Sequence, residues 1–150
     1  MASLALLKQA LADTIGNHIT SSGEELNIFP YIPDLIQTPA VCIDVHMSKF
    51  DGAMARGDDM WRFNVYVVVQ RGDAENSQGS LDDFLESAGP RSIREAIFNT
   101  PDLGVDEAEH GFVQAFVSGV HEYGGGYRDA RIDVVGAILR VDVHTDGSKL

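Results

Sequence analysis

Residues 61–104, WRFNVYVVVQRGDAENSQGSLDDFLESAGPRSIREAIFNTPDLG, join one long regular strand to a pair of short helices. Trp61, Phe63, Val65, Val67 and Val69 alternate with Arg62, Asn64, Tyr66, Val68 and Gln70, the period of two of a strand with one face buried. A polar, glycine-bearing loop closes that strand. Ser80 then stands three residues before Asp83 in capping-box spacing, and Leu81, Phe84, Leu85 and Ala88 share one helical face, with Gly89 as the expected stop. Pro90 suits a first helical position, while Ser92 with Glu95 offers a second capping box. In either reading Ile93, Ala96 and Ile97 make an apolar stripe.

Outward from this centre, Leu4, Leu7, Leu11 and Ile15 recur every three or four residues and predict an N-terminal helix, with Gly16 as its stop. The first residues carry no early positive charge, and Lys8 and Asp13 interrupt the apolar run, so the segment reads as a helix and not as a leader. No stretch approaches the ~20 apolar residues of a membrane span. Pro30, Pro33 and Pro39 exclude a regular helix across the next segment, where residues 26–29 form a short extended piece. Residues 40–47 read as a strand, with Val41, Ile43 and Val45 on one face and Cys42, Asp44 and His46 on the other. Residues 48–60 suggest a long mobile connection. Residues 112–122 and 131–144 are the last two strands, paired antiparallel around Gly124, Gly125 and Gly126, and the tail after His144 is expected to fray.

These elements predict an α+β fold in a single domain spanning residues 1–150. Its sheet is mainly antiparallel or mixed, with the N-terminal helix and the central helix pair packed on one face. The expected core comprises Trp61, Phe63, Val65, Val67, Leu81, Phe84, Leu85, Ile93, Ile97, Leu139 and Val141. A chain of 150 residues suits one domain, burying about 68–70% of its unfolded surface. Its 44% apolar and 23% charged residues argue against disorder along most of its length. The single cysteine, Cys42, cannot form an intramolecular disulfide and reads as a buried, inert thiol.

Net charge is −12, and residues 73–109 hold ten acids against Arg91 and Arg94. Such a surface repels phosphate, which excludes a nucleic-acid-binding module built on clustered Lys and Arg. Candidate chemistry is sparse. Asp44 with His46, and Asp142 with His144, each place a carboxylate and an imidazole on one strand face, but two short matches of this kind arise by coincidence. Arg71-Gly72-Asp73 is a strand-ending turn, and the glycine triplet lacks the spacing that lets a loop cradle phosphate. Neither Cys42 nor any serine carries a nucleophile signature. No catalytic, cofactor-binding or metal residue is assigned, and the chain is not read as an enzyme.

The segment from Val65 to Gly104, above all SLDDFLESAGPRSIREAI followed by TPDLG, resembles the tail-terminator proteins of long-tailed, siphovirus-type bacteriophages, and the flanking elements fit the same order. The resemblance implies a small structural α+β protein that forms a ring, generally of six subunits. That ring caps the tail tube, ends its polymerisation and offers a docking surface to the head connector. The implied partners are further copies of the chain, the major tail tube protein and a head-tail connector or stopper protein. DNA would pass through without specific binding, and neither membrane nor cofactor would take part. The implied location is the tail-neck junction of the virion, after assembly in the host cytoplasm. On this reading Asp82, Asp83 and Glu86 are candidate lumen acids; the alternative is a solvated helix face that aids solubility. Lys49, Phe50 and Arg56, an aromatic and two of the few cations of an acidic chain, are candidate assembly contacts. The rivals are another neck component, such as a head-closure or tail-completion protein, and a small cytoplasmic enzyme or ligand-binding domain.

Overall fold

Strand alternation over residues 61–70 places the long strand at the middle of the sheet, and every other element packs around it. The computed structural model describes residues 3–20, 26–33, 39–49, 59–70, 74–123 and 134–146. In chain order these form α1 (Leu4–Thr20), β1 (Asn27–Phe29), β2 (Ala40–Lys49), β3 (Asp59–Gln70), α2 (Ala74–Leu85), α3 (Ile93–Asn99), α4 (Glu107–His110), β4 (Val113–His121) and β5 (Val134–Thr145). The sheet is mixed, in the order β1-β2-β3-β5-β4. β1 runs parallel to β2 and every other pairing is antiparallel. The longest ladder joins β3 to β5, from Asp59 opposite Thr145 to Gln70 opposite Val134.

One face of the sheet carries the core. Leu7, Leu11 and Ile15 of α1, Leu81 and Phe84 of α2, and Ile93 and Ile97 of α3 pack with Phe63, Val65, Val67, Leu139 and Val141. Each such side chain contributes about 1.5–3 kcal/mol through removal from water. Trp61 and Leu85, expected inside, are only partly buried against this cluster. The opposite face holds a smaller group, Ala40 and Cys42 with Phe29 and Tyr66.

Several boundaries differ from expectation. α1 continues through Gly16 to Thr20, because Gly16 serves packing and not termination: a Cβ there would stand 3.0 Å from Ile28 Cδ1 on β1. α2 begins at Ala74, which puts Ser80 inside the helix instead of at its cap, and it ends at Leu85, before Gly89. Gly89 has φ 123°, and Pro90 lies in the turn that Ser92 N closes on Gly89 O at 3.1 Å, so proline does not open α3. β2 reaches Lys49 and β3 starts at Asp59, which shortens the predicted 48–60 connection at both ends. The expected fraying after His144 does not begin there. Thr145 belongs to β5 and is 3% exposed, and Asp146 N donates to Phe112 O at 3.2 Å. The glycine triplet and Arg71-Gly72-Asp73 lie outside the described residues.

Candidate assembly surfaces

The junction between α2 and α3 is built from side-chain caps. Ser92, fully buried, accepts from Glu95 N at 3.0 Å and donates to Glu86 O at 2.5 Å. It therefore caps α3 and fixes the chain leaving α2 with one hydroxyl. Glu95 does not close the expected reciprocal contact with Ser92 N; its carboxylate accepts from Gly89 N at 2.7 Å. From the end of α1, His18 Nε2 lies 2.9 Å from Gly89 O and 3.5 Å from Glu95 Oε2. One glycine thus ties three helices together.

The candidate lumen acids stand on the outer side of this junction. Asp82, Asp83 and Glu86 are all exposed. Asp82 Oδ1 accepts the Tyr123 hydroxyl at 2.6 Å, and that hydrogen bond, with lesser help from burial and from the carboxylate charge, raises the tyrosine's pKa above its ordinary value. Asp83 Oδ2 sits 3.6 Å from Arg91 Nη1, and the Arg91 guanidinium covers the Phe84 ring at 4.9 Å. Other acids of residues 73–109 serve the backbone: Asp102 accepts from Gly104 N at 2.9 Å, and Asp106 caps α4 through Ala108 N at 3.0 Å. Of the candidate assembly contacts, Lys49 ends β2 opposite Met60, while its side chain, Phe50 and Arg56 lie outside the described residues.

A different surface emerges along β4, an edge strand. A groove of about 610 Å³ runs beside it, lined by Arg94, Ile97, Phe98, Pro101, Ala115 and Phe116 among others. Ile93, Ala96 and Ile97 turn inward from α3, which turns Phe98 outward, and it is 83% exposed. Residues 100–104, TPDLG, form the floor of the junction with β4. Leu103 takes φ 55° with its side chain buried, Leu103 N donates to Thr100 O at 3.0 Å, and Pro101 O accepts Ala115 N at 2.7 Å. Phe116 is 45% exposed and stacks on His144 with centroids 5.9 Å apart. Sequence reasoning overlooked Phe98, although its place next to Ile97, off the apolar stripe, was a signal for outward display.

The sheet face away from the helices carries charge in pairs. Arg62 forks onto Asp142, Nε to Oδ1 at 2.7 Å and Nη2 to Oδ2 at 3.2 Å, with Asp142 4% exposed. Asp44 Oδ1 accepts from Val45 N at 2.9 Å. Because β3 lies between β2 and β5, the Asp44/His46 and Asp142/His144 pairs are on strands that do not touch. Among the described residues no group of three His, Cys, Asp or Glu is placed to hold a metal ion. Burial pushes the Cys42 thiol up to about 11, so it stays protonated near neutral pH and is a poor nucleophile. Among the described residues no helix is long and apolar enough to cross a membrane. Compared with family models and with curated proteins, the chain matches none of either.

Proposed function

We propose that this protein is a tail terminator: a ring-forming virion component that caps the tail tube, ends its growth and receives the head connector or stopper. The observation that carries this reading is the SLDDFLESAGPRSIREAI segment, set between the long strand β3 and the C-terminal hairpin of β4 and β5 in the element order the resemblance implies. The largely exposed Phe98 on α3 and exposed aromatics along the edge strand support a role in assembly, since contiguous exposed apolar surface marks contact sites. The acidity supports passage of DNA without attachment, because a bore lined by carboxylates does not hold phosphate.

Electron microscopy of tails made with and without the protein tests the proposal. Tails lacking it should grow beyond their set length or fail to join heads, and added protein should appear as a ring at the head-proximal end. Protein absent from tail ends refutes the proposal, and protein seated on the head side of the joint assigns it to another neck component. The lumen acids have their own test. Exchanging Asp82, Asp83 and Glu86 for Lys should create DNA attachment that falls steeply with salt and slow genome ejection while rings still form. Asp83 lies inside α2 and is not its cap, so the exchange removes no helix cap. Unchanged ejection without DNA attachment would place these acids on an outer face.

A further inference from the structure

We infer that the groove beside β4 of one copy receives residues 30–33 of a second copy, with Tyr31 and Ile32 entering against Phe98, so that copies join head to tail. The inference deepens the ring reading and rests on it for closure of the contacts into a ring. Two exposed apolar patches lie at opposite edges of the same sheet. At the β4 edge are Phe98, 83% exposed, and Phe116, 45% exposed; just past the β1 edge are Tyr31, 54% exposed, and Ile32, 40% exposed. Tyr31 is steadied by the Phe29 ring, 5.9 Å away between centroids. Pro30 and Pro33 bracket the pair and limit its backbone freedom, which lowers the entropy lost on docking.

Charge selects the same occupant. The protein is strongly acidic, so most approaches between copies are repulsive. Among the described residues, Arg94 is the one charged residue lining the groove. Residues 9–48 contain no Lys or Arg and carry Asp13, Glu24, Glu25, Asp34 and Asp44. An apolar groove with one cation therefore meets a proline-braced apolar segment that is itself uncharged and is followed in sequence by Asp34. Side chains and not strand addition make the contact: Ala115 N is already taken by Pro101 O, and a register shift between Val117 and Gly119 bends the edge. Each copy presents one groove and one segment on different surfaces, a heterologous contact that propagates into a ring when its rotation closes.

Paired cysteines test this directly. Gln114→Cys, which lines the groove, and Pro33→Cys, beside Ile32, place thiols at the contact without removing Phe98, Tyr31 or Ile32, and the native Cys42 is buried. With a short bifunctional thiol reagent at high protein concentration and raised salt, the double variant should give a ladder of dimer, trimer and larger species. Each single variant alone should give no dimer, and the two mixed should give only a one-to-one dimer. Arg94→Glu in the double variant should remove the upper rungs, and thermal melts should show that every variant remains folded. Homodimers from Gln114→Cys alone, or no ladder from a folded double variant, overturn the inference. So does cross-linking of Gln114→Cys in assembled tails to the tube protein instead of to a second copy. A ladder from protein that is absent from tail ends would leave this contact standing and remove the tail-terminator reading; protein at tail ends without a ladder would do the reverse.

Discussion

Phe84 and Phe98 sit on neighbouring helices in opposite surroundings, and alanine at each should separate folding from assembly. Phe98 is 83% exposed. Full burial of a phenylalanine contributes about 1.5–3 kcal/mol, so the hidden sixth of this side chain accounts for about 0.3–0.5 kcal/mol. Alanine's better helix propensity offsets up to roughly 0.7 kcal/mol of that. Phe98→Ala should therefore leave monomer stability within about 0.5 kcal/mol of the parent. Phe84, 1% exposed with Arg91 over its ring, should cost about 3–5 kcal/mol on replacement by alanine. If assembly buries the rest of Phe98, the missing contact is worth about 1.2–2.5 kcal/mol, a roughly 8- to 70-fold weakening of each subunit contact. Urea titrations with an unchanged slope would report the stabilities, and sedimentation across protein concentration would report the association. A Phe98→Ala monomer as unstable as Phe84→Ala, or one that associates like the parent, would refute this reasoning.

Ser92→Ala should lose both the cap on Glu95 N and the bond to Glu86 O, a cost of about 2–3 kcal/mol in urea unfolding given a cap alone at about 0.5–2 and a stranded acceptor. Arg62→Ala should destabilise the fold by about 1–3 kcal/mol, because it removes both guanidinium donors from Asp142, which is 4% exposed. The double change Arg62→Met with Asp142→Leu should recover much of that stability in the same thermal melt. Of the four tyrosines, Tyr123 should lose its proton at higher pH than an ordinary tyrosine, because its hydroxyl bonds to Asp82. Stability from that bond is fully present below the usual tyrosine value of about 10 and is lost as pH rises through the raised one. Ultraviolet titration should show the late transition, and Asp82→Asn should move it back.

Strand β3 was legible because it pairs with β5 over twelve residues without a register shift, although Val68 and Asn64 show that its second face is buried in part as well. Phe63, Val65 and Val67 follow from its alternation alone. The start of α2 was not legible, since Asn76, Ser77 and Gly79 lower its helix propensity and its first residues show no apolar stripe; the helix is held by Leu81 and Phe84 in the core downstream. Gly16 misled for a related reason, as its small size answers Ile28 twelve positions later and not the local backbone. β1 showed as an extended piece, but its parallel partner is a nonlocal choice that periodicity does not encode. At the assembly surface, the apolar stripe of α3 gave the inward residues, whereas the groove depends on how TPDLG crosses the edge of β4. That crossing rests on Leu103 in a left-handed conformation, which few sequence rules anticipate for leucine.

The position of β5 between β3 and β4 governs what happens while the chain is being made. β3 emerges from the ribosome long before the strand that completes its other side. Roughly 60 residues separate Gln70 from its partner Val134, about 3–12 s of synthesis at ~5–20 residues per second. During that interval the β3 edge, with Val65, Val67 and Val69 beside it, has no partner strand from its own chain. The helices α1 and α2 are already available to cover its apolar face, so they act as an internal chaperone until the last strand arrives. β4 is made within the same interval, before β5, but among the described residues its partner strand is β5, so neither β4 nor the groove is set in the sheet until β5 arrives. The surface built on β4 is therefore complete only once β5 has paired with both β3 and β4.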